Sequence, residues 1–153
     1  MKKSGKAWVV MLFLLFWSPA HAACQVAATG LNFGAYDVFA AAPLDTTGSV
    51  TVTCDQRSRI DVTVAIGASP TSGGFNPRQM RRTSGTDRLN YNLYTSSSMS
   101  TVWGNGSAGT STVLLKRVRR RRPVTTTIYG RIPAGQNVSV GSYAETLTVT
   151  ITP

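Results

Sequence analysis

Cys24 and Cys54 stand 30 positions apart, and Lys116-Arg117-Val118-Arg119-Arg120-Arg121-Arg122 sets six cations in seven residues. Two thiols in an oxidising compartment most simply close one disulfide. Closing a loop of that length contributes about 3.5–4 kcal/mol by chain-entropy reasoning. A lipid anchor on Cys24 is the alternative chemistry. A lipobox places Leu three residues before its Cys, where this chain has His21, and the anchor would leave Cys54 unpaired. The cationic run also has two readings. It offers cationic side chains to acidic polysaccharide, lipopolysaccharide phosphates or extracellular DNA, through Lys116, Arg117, Arg119, Arg120, Arg121 and Arg122. Otherwise it is a solvated loop or strand edge whose charge blocks unwanted edge pairing. No Phe, Tyr or Trp interrupts the run, so stacking on bases has no support there.

Other reactive side chains are sparse. His21 is the one histidine. Asp37, Asp45, Asp55, Asp61 and Asp87 are scattered, and no Asp-x-Asp-x-Asp-Gly run marks a calcium loop. Asp87 and Glu145 are the only acids after residue 61, which gives a paired-carboxylate hydrolase little support. The first 22 residues bear on the histidine. Lys2, Lys3 and Lys6 form a basic n-region, Ala7 to Trp17 is an apolar run of eleven, and Pro19 precedes Ala20-His21-Ala22. This pattern is that of a secretory signal peptide over residues 1–22. Eleven apolar residues fall short of the roughly 20 that span a bilayer, and no later run approaches that length. Cleavage after Ala22 leaves 131 residues with 13 basic and 6 acidic side chains, a formal charge of +7. It also removes the imidazole, and with it a Ser-His-Asp triad, a Cys-His pair and a His-ligated metal. The expectation is an exported protein that is not an enzyme and carries no cofactor.

The elements that must position these groups read as strands. After Ala22 the chain holds 20 Thr, 13 Val and 5 Ile but one Lys and one Glu. β-branched side chains fit a pleated surface, and the usual fillers of helix surfaces are nearly missing. Period-two alternation marks Val50-Val52-Cys54, Ile60-Val62-Val64-Ile66, Leu89-Tyr91-Leu93 and, more weakly, Val124-Thr126-Ile128. Tyr143 with Leu147, Val149 and Ile151 reads as the closing strand. Ser69-Pro70-Thr71-Ser72-Gly73-Gly74, Gly104-Asn105-Gly106-Ser107 and Pro133-Ala134-Gly135 supply turns. The fold expected is an all-β sandwich. Arg78, Arg81 and Arg82 are expected on a solvated face, with a second basic patch as the alternative; Trp103 is expected partly buried beside its turn, with an exposed adhesive aromatic as the alternative.

Five segments, taken in order, carry a family resemblance. They are Gly30-Leu31-Asn32-Phe33-Gly34-Ala35-Tyr36, Gly48-Ser49-Val50-Thr51-Val52-Thr53-Cys54 and Leu89-Asn90-Tyr91-Asn92-Leu93-Tyr94. Tyr129-Gly130-Arg131-Ile132-Pro133-Ala134-Gly135-Gln136 and the final Gly141–Ile151 stretch complete the set. Together they resemble the spore coat protein U domain over residues 23–153, a family that includes subunits of archaic chaperone–usher pili. The resemblance implies an incomplete immunoglobulin-like antiparallel β-sandwich that lacks one strand and leaves an apolar groove. It implies as partners a periplasmic chaperone, an outer-membrane usher and other pilus subunits, with a role in adhesion or biofilm formation.

By that analogy Leu147, Val149 and Ile151 border the groove on one side, and a strand containing Leu31 and Phe33 borders it on the other. An ordinary closed core is the alternative. Polymerising relatives carry a donor segment of alternating apolar residues before the first Cys. Here Cys24 follows the leader almost directly. The expectation is a subunit that accepts a strand and gives none, at one end of an assembly. The competing function is a self-contained secreted sandwich that binds anionic polymers through the arginine run.

Overall fold

The computed structural model describes residues 23–153; the candidate leader over 1–22 lies outside them. Nine strands occur among the described residues and no helix. They are β1 (Cys24–Thr29), β2 (Leu44–Cys54), β3 (Ile60–Ile66), β4 (Arg78–Arg82), β5 (Arg88–Tyr94), β6 (Val113–Val118), β7 (Val124–Ile132), β8 (Tyr143–Ala144) and β9 (Val149–Thr152). Every strand pair is antiparallel. One sheet runs β1-β2-β7-β5-β4-β8 and the other β6-β3-β9.

The alternation read from the sequence is the alternation of the core. Val50, Val52 and Cys54 of β2, Val62, Val64 and Ile66 of β3, and Leu89, Tyr91 and Leu93 of β5 are buried. The threonines between the valines of β2 and β3 are only half-buried. Two sheets each apolar on one face must stack those faces, and burial of a valine or isoleucine is worth roughly 1.5–3 kcal/mol. Trp103, expected only partly buried, fills the centre with no exposed surface, and its indole N–H donates to the Val64 carbonyl at 3.1 Å. Cys24 and Cys54 form the disulfide. They sit directly opposite one another in the β1–β2 register, so the bond staples the edge strand β1 at its first residue.

Two further expectations are corrected here. The closing segment is not one strand: β8 pairs with β4 in the larger sheet, and β9 pairs with β3 in the smaller. Exposure nevertheless alternates without a break from Tyr143 to Thr152. Periodicity reports which way side chains point and says nothing of which sheet receives them. Glu145 pins the crossing, accepting from Ser69 Oγ at 2.5 Å and from the Tyr91 hydroxyl at 2.6 Å.

The second correction is Arg78, expected in solvent and in fact fully buried. Its guanidinium donates to Asn92 Oδ1 at 2.9 Å, to the Trp103 carbonyl at 2.7 Å and to the Gly67 carbonyl at 3.0 Å. Its carbon lies 5.4 Å from the Phe75 ring centre. Burial lowers its pKa, opposed by the charges of Tyr91 and Glu145. Arg81 is exposed, and Arg82 is half-buried beside Asp87 at 3.6 Å.

Candidate functional site

Strands β1 and β9 end their sheets, so each has one backbone edge that no strand covers among the described residues. Their registers show which side chains should be packed. Directly opposite residues of an antiparallel pair project to the same face. Val26 lies opposite Val52 and Ala28 opposite Val50, so both face the core. Val52 and Val50 are sealed, yet Val26 is 38% exposed and Ala28 is open to solvent. On the other sheet Val149 lies opposite Ile66 and Ile151 opposite Val64. Here too the inner partners are sealed, while Val149 and Ile151 are only half-buried. Two core-facing rows are therefore left uncovered, one on each sheet.

Between the rows lies a cleft of about 170 Å³. Ala28, Leu31 and Phe33 wall one side, Leu147 and Val149 the other, and Ile66, Leu93 and Ile128 lie beneath. Four of the five residues expected to border a groove thus meet here. Ile151 continues the same row along β9 without lining the cleft itself. Leu31 and Phe33, expected within a strand, are not in one; residues 30–36 form an irregular segment beyond β1. Asn32 Oδ1 accepts the Gly34 N–H at 3.0 Å, and Gly34 turns at φ +71°, a conformation that glycine adopts freely.

Glycines of the larger sheet make room for this segment. A Cβ at Gly48 would stand 2.6 Å from the Thr29 carbonyl oxygen, and one at Gly130 would overlap Leu31 and press on Phe33. The bare backbone at those positions seats both side chains. Phe33 also meets Tyr91 edge-on at 6.1 Å between ring centres.

The cleft has one polar corner, formed by Glu145 beside Tyr91. Burial raises the Tyr91 phenol well above its ordinary range, and the hydrogen bond and charge of Glu145 raise it further; Arg78 opposes them. In the unfolded chain the phenol ionises near pH 10. The folded chain keeps the proton longer, so its stability is intact below about pH 10 and falls above it, by up to about 1.4 kcal/mol per pH unit. Denaturant midpoints measured at about pH 9 and about pH 11 should show the fall in the parent, and a much flatter limb in Tyr91→Phe.

The cationic run sits elsewhere. Lys116 and Arg117 lie exposed on β6, the other edge of the smaller sheet. Register slips between Ile60 and Val62, and Arg117 takes φ +61° in the resulting bulge, its N–H bonded to Asp61 Oδ1 at 2.9 Å. A bulge with charged side chains protects an edge from pairing. Arg119 and Arg122 close a tight turn to β7, with Arg121 at φ +61°. The Arg120 N–H donates to the Gln56 carbonyl at 2.8 Å, which draws the turn against the β2–β3 loop. Arg57 of that loop and Arg119, Arg120, Arg121 and Arg122 line one open concavity. Sequence reading missed Arg57, although Arg57-Ser58-Arg59 in a loop beside a cysteine was a visible basic signal. It also missed the part of Ala28 and Glu145 in the cleft.

One disulfide and an uncovered apolar row on each sheet define an antiparallel β-sandwich of the strand-accepting kind of architecture. The Spore Coat Protein U domain model matches residues 13–150, and the chain belongs to that family. It is 38% identical over 130 residues to Protein U of Myxococcus xanthus, covering 80% of this chain and 70% of that protein. Among solved structures, the fold is similar to the CsuC–CsuE chaperone–tip adhesion subunit pre-assembly complex from archaic chaperone–usher Csu pili of Acinetobacter baumannii. There the TM-score is 0.55 at 19% identity, over 85% of this chain and 39% of that one. The minor tip subunit HdaB of the Escherichia coli Hda pilus matches with a TM-score of 0.45 at 14% identity, over 83% of this chain and 79% of its own.

Proposed function

We propose that this chain is a structural subunit of a chaperone–usher surface fibre, and that its cleft receives a β-strand from a second polypeptide. The observation that carries the reading is the pair of uncovered core-facing rows, Val26 and Ala28 against Val149 and Ile151. A strand laid between β1 and β9 would bond to both free edges and drop alternate apolar side chains onto Ile66, Leu93 and Ile128. A periplasmic chaperone supplies that strand first and a neighbouring subunit replaces it, with an outer-membrane usher as the assembly site. The likeness to a chaperone-bound tip subunit supports this order of partners. Residues 1–22 serve as the export leader, and the finished domain is 23–153, displayed at the surface for adhesion or biofilm formation. The residues before Cys24 read as leader, not as an alternating apolar strand, which supports a place at the end of a fibre.

The test is periplasmic expression with and without a chaperone of this class, followed by intact-mass analysis and amide exchange. A one-to-one complex is expected, with protection gained at β1 and β9 and little folded protein in the absence of the chaperone. A stable free monomer whose β1 and β9 edges are already protected would overturn the proposal.

A further inference from the structure

We propose that Arg57, Arg119, Arg120, Arg121 and Arg122 form a binding cup for the phosphate or sulfate groups of an anionic polysaccharide. This inference is independent of the strand-acceptor reading, because the cup and the cleft share no residue.

Five arginines from two separate loops line this one concavity of about 430 Å³. No acidic side chain lines it, and the salt bridges among the described residues lie elsewhere, at Arg82–Asp87 and Arg131–Asp45. Like charges gathered within a Debye length, about 8 Å at physiological salt, repel one another. A solvated edge needs only scattered charge to resist pairing, and the β6 bulge with Lys116 and Arg117 already provides it. The convergence of Arg57, some sixty positions away in sequence from the run, adds nothing to edge protection. It does complete a concave, positively charged surface.

The residue type points to the ligand. All five are arginine, whose planar fork matches two oxygens of a phosphate or sulfate, whereas lysine offers a point charge. No aromatic side chain lines the cup, so it lacks the stacking platform that single-stranded nucleic acid uses. A disulfide-bonded protein works in an oxidising, extracytoplasmic setting, where densely charged polymers are chiefly glycans. The turn is also fixed in place: Arg121 is held in the left-handed region and Arg120 is bonded through its backbone to Gln56. The backbone that carries four of the five arginines is therefore anchored to the loop that carries Arg57's neighbour.

The experiment measures binding of a heparin oligosaccharide to the oxidised protein, alone or with whichever strand donor keeps it folded, as a function of salt. A short DNA duplex is run in parallel. Binding should weaken with salt by roughly one unit of log K per log salt for each arginine engaged. Arg57→Ser and Arg120→Ser should each lower that slope by roughly one and weaken binding severalfold. Lys116→Ser, in the same run but outside the cup, should leave both nearly unchanged. Thermal melting of each variant reports folding separately. Loss at Lys116→Ser equal to that at Arg120→Ser, with Arg57→Ser silent, would replace the cup with a linear charge tract and overturn the proposal. So would the absence of heparin binding at about 0.15 M salt, or duplex binding tighter than heparin binding.

Discussion

A strand of alternating apolar residues, added to the oxidised subunit as a peptide or fused to its terminus, is expected to raise the unfolding free energy by on the order of 10 kcal/mol. The figure follows from four or five incoming side chains, each gaining about 1.5–3 kcal/mol on burial. It excludes what Val26, Ala28, Leu147, Val149 and Ile151 gain when they are covered in turn. Typical domains have only about 5–15 kcal/mol in total. The unoccupied subunit should thus unfold at low denaturant and the complemented one near the top of the urea range. Val149→Arg is the informative control. Its Cβ faces the core opposite Ile66, so a guanidinium there occupies the incoming strand's row. The variant should lose most of the gain on strand addition while its stability without the strand changes far less. Equal midpoints for the parent with and without strand would mean that the uncovered rows are an ordinary surface.

Arg78→Met is expected to cost about 3 kcal/mol, within the range seen when one partner of a buried charged contact is removed. Methionine fills similar volume, so the loss isolates the hydrogen bonds. Asn92 Oδ1 and the Trp103 and Gly67 carbonyls would each lose a charged donor. Relief from burying a cation offsets part of this. Arg78→Lys should recover little, because an ammonium group cannot reproduce a fork that reaches three diverging acceptors. Pairing Arg78→Met with Asn92→Leu should cost less than the two single changes summed, since the first change already strips the charged donor from Asn92 Oδ1, which keeps only the Leu93 N–H. Urea midpoints at neutral pH measure all four variants. A neutral Arg78→Met would show that β4 is held to the loops at Gly67 and Trp103 by packing alone.

Much of the sandwich was legible because burial and period-two alternation coincide where both faces differ in polarity, as at Val50-Thr51-Val52-Thr53-Cys54. Strand β1 was not, because Gln25 to Thr29 is small or polar and its inward row is bare. Strand β4 was hidden by charge: Arg-Gln-Met-Arg-Arg reads as surface, and only the three-dimensional placement of two carbonyls and an amide oxygen explains Arg78 inside. The cleft residues were reached through a family likeness, since alternation at Leu147, Val149 and Ile151 is the same whether a strand covers them or not. Arg57 joined the cationic run through a backbone contact between loops, which no linear pattern records.

The covalent tie between the first residue of β1 and the last residue of β2 has a mechanical consequence. Tension carried into a fibre subunit through an inserted strand would act as shear on the two rims that grip it. One rim would ordinarily yield by peeling from its sheet, hydrogen bond by hydrogen bond. With Cys24 bolted to Cys54, peeling of β1 from that end is blocked, and the load passes to the long β2 and on to β7 at the centre of the sheet. Reduction should therefore lower rupture force even where the unstressed fold survives.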